Sequence, residues 1–61
     1  MNNEAKAQEY RNLMFQYDLL ENKVNEIKSL NFELSPQHEA EIRNLKQRQS
    51  QIMSKVNSML Q

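Results

Sequence analysis

The single histidine of this chain lies close to a serine and a glutamate. His38 is three residues after Ser35 and three before Glu41, which places a hydroxyl, an imidazole and a carboxylate within two helical turns. Two ligands do not complete a transition-metal site, and the sequence has no cysteine and no second histidine. The Ser35 and His38 pair has no evident cleft to exclude water and no donors for an oxyanion. We therefore expect no enzyme activity, no metal and no cofactor.

The segment Leu34-Ser35-Pro36 is the strongest break in the chain. Proline does not continue a helix from Ser35, but it fits the first turn of a new helix with Ser35 as its N-cap. The rest of the chain has no glycine and is rich in Glu, Gln, Lys, Leu, Met and Ala, which favour helix. We predict an all-α fold in one domain, 1–61, with a helix over about 3–31, a turn over about 32–35 and a helix over about 36–60.

Both halves carry the heptad pattern of a coiled coil, with side chains of one face recurring every three or four residues. This seam consists of Tyr10, Leu13, Tyr17, Leu20, Val24 and Ile27 in the first half, and His38, Ile42, Leu45, Gln49, Ile52, Val56 and Met59 in the second. The short turn favours an antiparallel two-helix hairpin. The facing pairs are then Ile27–Ile42, Val24–Leu45, Leu20–Gln49, Tyr17–Ile52, Leu13–Val56 and Tyr10–Met59.

The residues beside the seam agree with this register. Four pairs of opposite charge meet across the predicted helices: Lys28 with Glu39, Glu21 with Lys46, Lys23 with Glu41, and Glu9 with Lys55. An exposed pair contributes only about 0–1 kcal/mol, so these pairs favour a register more than they add stability. Gln49 interrupts the apolar seam opposite Leu20, where a buried polar residue specifies register at some cost in stability.

A hairpin of this length only half-buries its seam, so we expect it to be completed to a helical bundle by self-association or by a partner. Two further apolar surfaces are available for this contact. Phe15 and Leu19 lie one turn apart, nearly opposite the seam, and Met14, Met53 and Leu60 widen the seam on one side. We predict that these five residues bind the partner.

Composition and pattern exclude several classes of function and favour protein–protein interaction. The absence of glycine excludes glycine-rich nucleotide-binding loops, and no apolar run approaches the roughly 20 residues of a membrane span. The first residues lack the pattern of a secretory signal, so we expect a cytoplasmic protein without a membrane partner. We predict an assembly module: a small adaptor, a co-chaperone or a coiled-coil subunit.

A small homodimeric hairpin that binds nucleic acid is the alternative. Residues 43–61 contain Arg43, Lys46, Arg48 and Lys55 and no acid. In layout the chain is similar both to the helical-hairpin co-chaperones of type III secretion and to the small homodimeric RNA-binding hairpins of plasmid copy-number control, although no motif carries either resemblance. Eight basic residues are balanced by eight acids, whereas phosphate binding usually accompanies a net basic domain, so we favour a protein partner. A fragment of a longer coiled coil would show the same pattern.

Overall fold

The structure, a computed structural model, describes residues 2–30 and 33–61, without the side chain of residue 2. Helix α1 runs Asn2–Lys28, helix α2 runs Pro36–Met59, and these described ranges contain no strand. The helices pack side by side as a helical hairpin that measures 50 × 15 × 12 Å. The prediction of an all-α chain with two helices is therefore confirmed.

Helix α2 begins where the proline and its preceding serine predict. Ser35 is the N-cap, with extended backbone angles (φ −72°, ψ 161°), and Pro36 occupies the first turn. The amide of His38 donates to Ser35 Oγ at 3.2 Å, and the amide of Glu39 donates to the Ser35 carbonyl at 3.0 Å. One of the unpaired amides of the helix start is thus satisfied by the cap, and proline removes another.

Helix α1 ends at Lys28, earlier than the predicted end at about residue 31. Ser29 Oγ donates to the carbonyl of Glu26 at 2.7 Å, and the amide of Leu30 bonds three residues back instead of four. A serine hydroxyl that hydrogen-bonds to nearby backbone competes with the hydrogen bonds of the helix. The helix ends in a tighter turn, with a three-residue bond. Phe32, within the predicted turn, lies outside the described residues.

The predicted seam is the buried face of the hairpin. Its buried apolar members are Leu13, Val24, Leu45, Ile52 and Val56, and Gln49 is buried among them. Tyr10 departs from the prediction, because 42% of its surface is exposed. It lies with Met59 and Leu60 where the first turns of α1 meet the last turn of α2, and a large ring at the end of two helices has fewer neighbours to cover it.

One cluster of the core lies in the half of the hairpin that holds the chain termini, whereas Val24 and Leu45 are buried nearer the turn. Leu13, Ile52 and Val56 form one buried cluster, and the partly buried residues packed against it are Met14, Tyr17, Leu20 and Met59. The cluster brings the predicted neighbours Leu13 and Val56 together. Within the described part of the chain, neither helix has the length and apolarity needed to cross a membrane.

Candidate functional site

An open groove follows one side of the hairpin between the two helices. It encloses about 510 Å³ and is lined by Gln16, Leu19, Leu20 and Lys23 from α1 and by Arg48, Gln51, Ile52 and Lys55 from α2. We call it the basic groove, because each of its charged residues is a cation. Leu20 and Ile52 are seam residues, so the floor is apolar while the exposed rim is polar and positively charged.

The basic groove was not predicted, although the sequence contains a signal for it. Gln16 and Lys23 are seven residues apart, as are Arg48 and Lys55, and a spacing of seven keeps residues on one edge of a coiled-coil helix. Each pair lies beside the seam on its own helix. The predicted pairs of Lys23 with Glu41 and Lys55 with Glu9 instead place an acid beside each of these lysines.

Phe15 and Leu19 are both exposed, as a contact surface requires. Phe15 is 64% exposed and Leu19 is 47% exposed. Leu19 lines the basic groove, so it lies at the edge of the groove and not on a remote outer face. Phe15 is one turn before Leu19 on α1, but it is not among the residues that line the groove.

The other three predicted contact residues are spread over different parts of the hairpin. Met14 is partly buried and packs against the core cluster, so much of its side chain is used within the hairpin. Met53 lines a second, more polar groove with Tyr17 and Gln49. Leu60, at 73% exposure, caps the C-terminal end of α2 and lines a third groove beside the chain termini. The structure therefore does not bring all five residues into one patch.

Gln49 on α2 makes two hydrogen bonds to α1. Its side chain is 6% exposed, and Nε2 donates to Glu21 Oε2 at 2.7 Å and to the carbonyl of Tyr17 at 3.4 Å. The short distance to a carboxylate is typical of a charge-assisted bond. The sequence predicted a polar interruption at Gln49 but not that Glu21 is its acceptor.

Charge pairing across the helices is weaker than the sequence suggested. Glu21 was expected to pair with Lys46, but it accepts from Gln49. Among the described residues, none of the four predicted pairs closes into an ion pair. Long exposed side chains lose entropy when they are held in one geometry, so such pairs stay open to water.

The cluster of Ser35 and His38 is used for capping. Ser35 Oγ lies 3.0 Å from His38 Nδ1, with the donor set by the imidazole tautomer, and the same oxygen accepts the amide of His38. The hydroxyl is thus committed to the start of α2. Within residues 2–30 and 33–61, no group of three or more acidic, histidine or cysteine side chains could hold a metal ion.

The fold and these surfaces define the class of structure, a small helical hairpin with an open groove along one side. Comparison of the chain with protein-family models, with curated proteins and with solved structures gave no significant match.

Proposed function

We propose that this chain is a protein–protein interaction and assembly module that acts through helix packing. The hairpin is antiparallel, in the register that pairs Leu13 with Val56, and it becomes a helical bundle when another helical surface covers its groove side. Two features support the antiparallel register: Leu13 shares a buried cluster with Val56, and Gln49 bonds both Tyr17 and Glu21, one turn apart on α1.

The observation that carries the proposal is the pair of exposed apolar residues Phe15 and Leu19, one turn apart on α1, of which Leu19 lines the basic groove. Isolated apolar residues on a surface are normal, but a contiguous patch marks a site of interaction. Here an exposed aromatic ring lies one helical turn from a leucine that lines the groove.

The accessible surface supports the same conclusion. The chain exposes 5057 Å², whereas a compact monomer of its 7.3 kDa mass exposes about 4,200 Å² by the usual scaling, an excess of about 900 Å². A standard interface buries about 800 Å² on each partner. An interface of standard size would thus cover about the excess area. We expect the folded hairpin to depend on this assembly for much of its stability.

The double substitution Phe15→Ala with Leu19→Ala tests the proposal. In the hairpin alone these side chains bury little area, so their truncation should cost within about 0.5 kcal/mol of folding free energy. An aromatic anchor at an interface costs about 2 kcal/mol or more of binding free energy. We expect retained helicity by circular dichroism and at least about thirtyfold weaker association by sedimentation equilibrium.

The matched control is Gln47→Ala with Ser54→Ala, since both residues are exposed on the outer side of α2 away from the groove. This control should leave association unchanged. Unchanged association in the Phe15 and Leu19 variant would contradict their role and move the contact to Met53 and Leu60. A wild-type chain that stays monomeric and fully helical at every concentration would exclude self-association and contradict the claim that the hairpin depends on assembly for much of its stability.

Nucleic-acid binding is the second candidate, favoured by one observation. Lys23, Arg48 and Lys55 converge on the basic groove, and no acid lines it. The test is binding of a labelled RNA duplex at about 50 and 200 mM salt, where neutralisation of several phosphates would make affinity fall steeply. We expect the wild type and the Phe15→Ala variant to bind the RNA duplex equally weakly. Tight binding lost on Arg48→Ala would favour this second function.

A further inference from the structure

We propose that the basic groove binds an amphipathic helix of another protein, one that carries carboxylates on both sides of its apolar stripe. This inference rests on the proposed function and names the chemistry of the partner. It follows from the position of three cations around an apolar floor on one side of the hairpin.

The charges of the chain are unevenly distributed. Three of its eight basic residues line the basic groove, whereas none of its eight acids does so among the residues that the structure describes. In that same part of the chain, Lys23, Arg48 and Lys55 form no ion pair. The formal net charge is zero, so the groove is a local concentration of positive charge on a neutral molecule. Its complement is a surface that carries carboxylates.

The cations lie on both edges of the groove. In the proposed antiparallel register Lys23 on α1 is level with Arg48 on α2, and Gln16 is level with Lys55. Arg48 and Lys55 are seven positions apart, which is about 10 Å along a helix. The groove therefore has a cation at three of its four corners and an amide at the fourth. A second copy placed groove to groove would bring cations together, which disfavours that occupant.

The floor of the groove favours a helix as the ligand. Leu20 and Ile52 lie between the two charged edges, and the exposed Leu19 lines the same groove. A helix satisfies its own backbone hydrogen bonds, so its apolar side chains can cover this floor without burying an unpaired amide or carbonyl. Carboxylates beside its apolar stripe would then reach the cations of both edges, and Arg48 can bind one of them through two parallel hydrogen bonds.

A nucleic acid fits this surface less well than an acidic helix does. Phosphates would use the cations but leave the apolar floor uncovered, and of the described residues no aromatic one lines the groove to stack on a base. An amphipathic helix matches both features, because its apolar stripe is flanked by polar residues. Binding of RNA is therefore an outcome that the test must separate from binding of a helix.

The probe is a labelled synthetic peptide of about three heptads, with leucine at positions a and d and glutamate at positions e and g. One matched peptide carries glutamine at positions e and g, and another carries lysine there. We expect wild type to bind the glutamate peptide at least about tenfold more tightly than the glutamine peptide, by fluorescence anisotropy at about 150 mM salt. The lysine peptide should bind more weakly than either.

Charge reversal tests the groove itself. The variant with Lys23→Glu, Arg48→Glu and Lys55→Glu should bind the lysine peptide at least about tenfold more tightly than the glutamate peptide, which reverses the wild-type preference. A glutamine variant, with Lys23→Gln, Arg48→Gln and Lys55→Gln, adds no negative charge to the hairpin and should bind all three peptides about equally. Circular dichroism checks that both variants keep the helicity of wild type.

The matched control carries Lys28→Glu, Arg43→Glu and Lys46→Glu. It changes as many charges on the same two helices, at exposed positions that do not line the groove. This control should retain the wild-type preference for the glutamate peptide. The same loss of preference in the control as in the charge-reversed variant would overturn the inference, because net charge and not the groove would then decide binding.

Other results would also overturn the inference. One is equal binding of the glutamate and glutamine peptides by wild type, and another is displacement of the glutamate peptide by an RNA duplex at about a tenfold lower concentration than unlabelled peptide requires. Loss of self-association in the glutamine variant would show that a second copy occupies the groove. The proposed function is tested separately, by the association of the variant with Phe15→Ala and Leu19→Ala, so the two failures are distinguishable.

Discussion

At the scale of single residues, Gln49 shows how a polar side chain is accommodated in an apolar seam. Burying an amide without a partner costs free energy, but Gln49 donates to the Glu21 carboxylate at 2.7 Å. Glu21 itself is exposed, so water would replace the amide as its donor if Gln49 were changed. The hydrogen bond therefore specifies which residues face each other and adds little net stability.

We predict that Gln49→Leu raises the melting temperature. Leucine gains apolar burial, and the change leaves no buried polar atom unpaired, so the net gain should be about 1 kcal/mol, or roughly 4–8 °C for a chain of this size. The same substitution should broaden the range of assembly sizes. Thermal unfolding and sedimentation at one protein concentration measure both effects.

Gln47→Leu is the control for this prediction, because it makes the same replacement at an exposed position of the same helix. It should change the melting temperature little. A loss of about 1 kcal/mol or more in Gln49→Leu would show that its bond to Glu21 contributes more than apolar packing does.

At the scale of elements, the start of α2 depends on one hydroxyl. Ser35 Oγ accepts the amide of His38, and Ser35→Ala removes that acceptor. Loss of an N-cap costs about 0.5–2 kcal/mol. We expect urea unfolding at fixed protein concentration to show a decrease of about 1 kcal/mol, and Ser35→Asp to retain stability because aspartate also caps a helix start.

Ser54→Ala is the matched control, since Ser54 is exposed within the same helix and alanine favours helix. This variant should be as stable as wild type or slightly more so. Equal losses in Ser35→Ala and Ser54→Ala would contradict a specific capping role for Ser35.

Sequence patterns predicted these elements unevenly, for physical reasons. The seam and the Ser35 cap follow from spacing and from proline, which constrain the backbone wherever they occur. The end of α1 at Lys28 was missed because no glycine or proline marks it, and the features found there are a serine bond to the preceding turn and a three-residue bond from the amide of Leu30. The acceptor of Gln49 and the convergence of cations on the basic groove depend on how two helices are juxtaposed, which periodicity in one helix does not specify.

At the scale of the whole molecule, the hairpin is long and thin. The hairpin is 50 Å long and 15 Å wide, so few of its residues have neighbours on every side. Its large exposed surface follows from this shape. A second layer of helices would give the seam residues neighbours above the groove as well as across it. Folding and assembly are therefore expected to be coupled, so stability should rise with protein concentration.

The central claim is that each chain closes into its own antiparallel hairpin and presents the basic groove as one face. Cysteines at Leu13 and Val56 test it most directly, because the two residues share one buried cluster although they lie at opposite ends of the sequence. Leu13→Cys with Gln47→Cys is the control, since residue 47 is exposed on the outer side of α2 and should not crosslink.

The measurement is oxidation in dilute solution followed by mass analysis under denaturing conditions. The account predicts a disulfide within one chain, at the 7.3 kDa monomer mass, for the Leu13 and Val56 pair alone. Crosslinks that form only between chains, at twice that mass, would contradict the closed hairpin and replace it with an extended or swapped dimer.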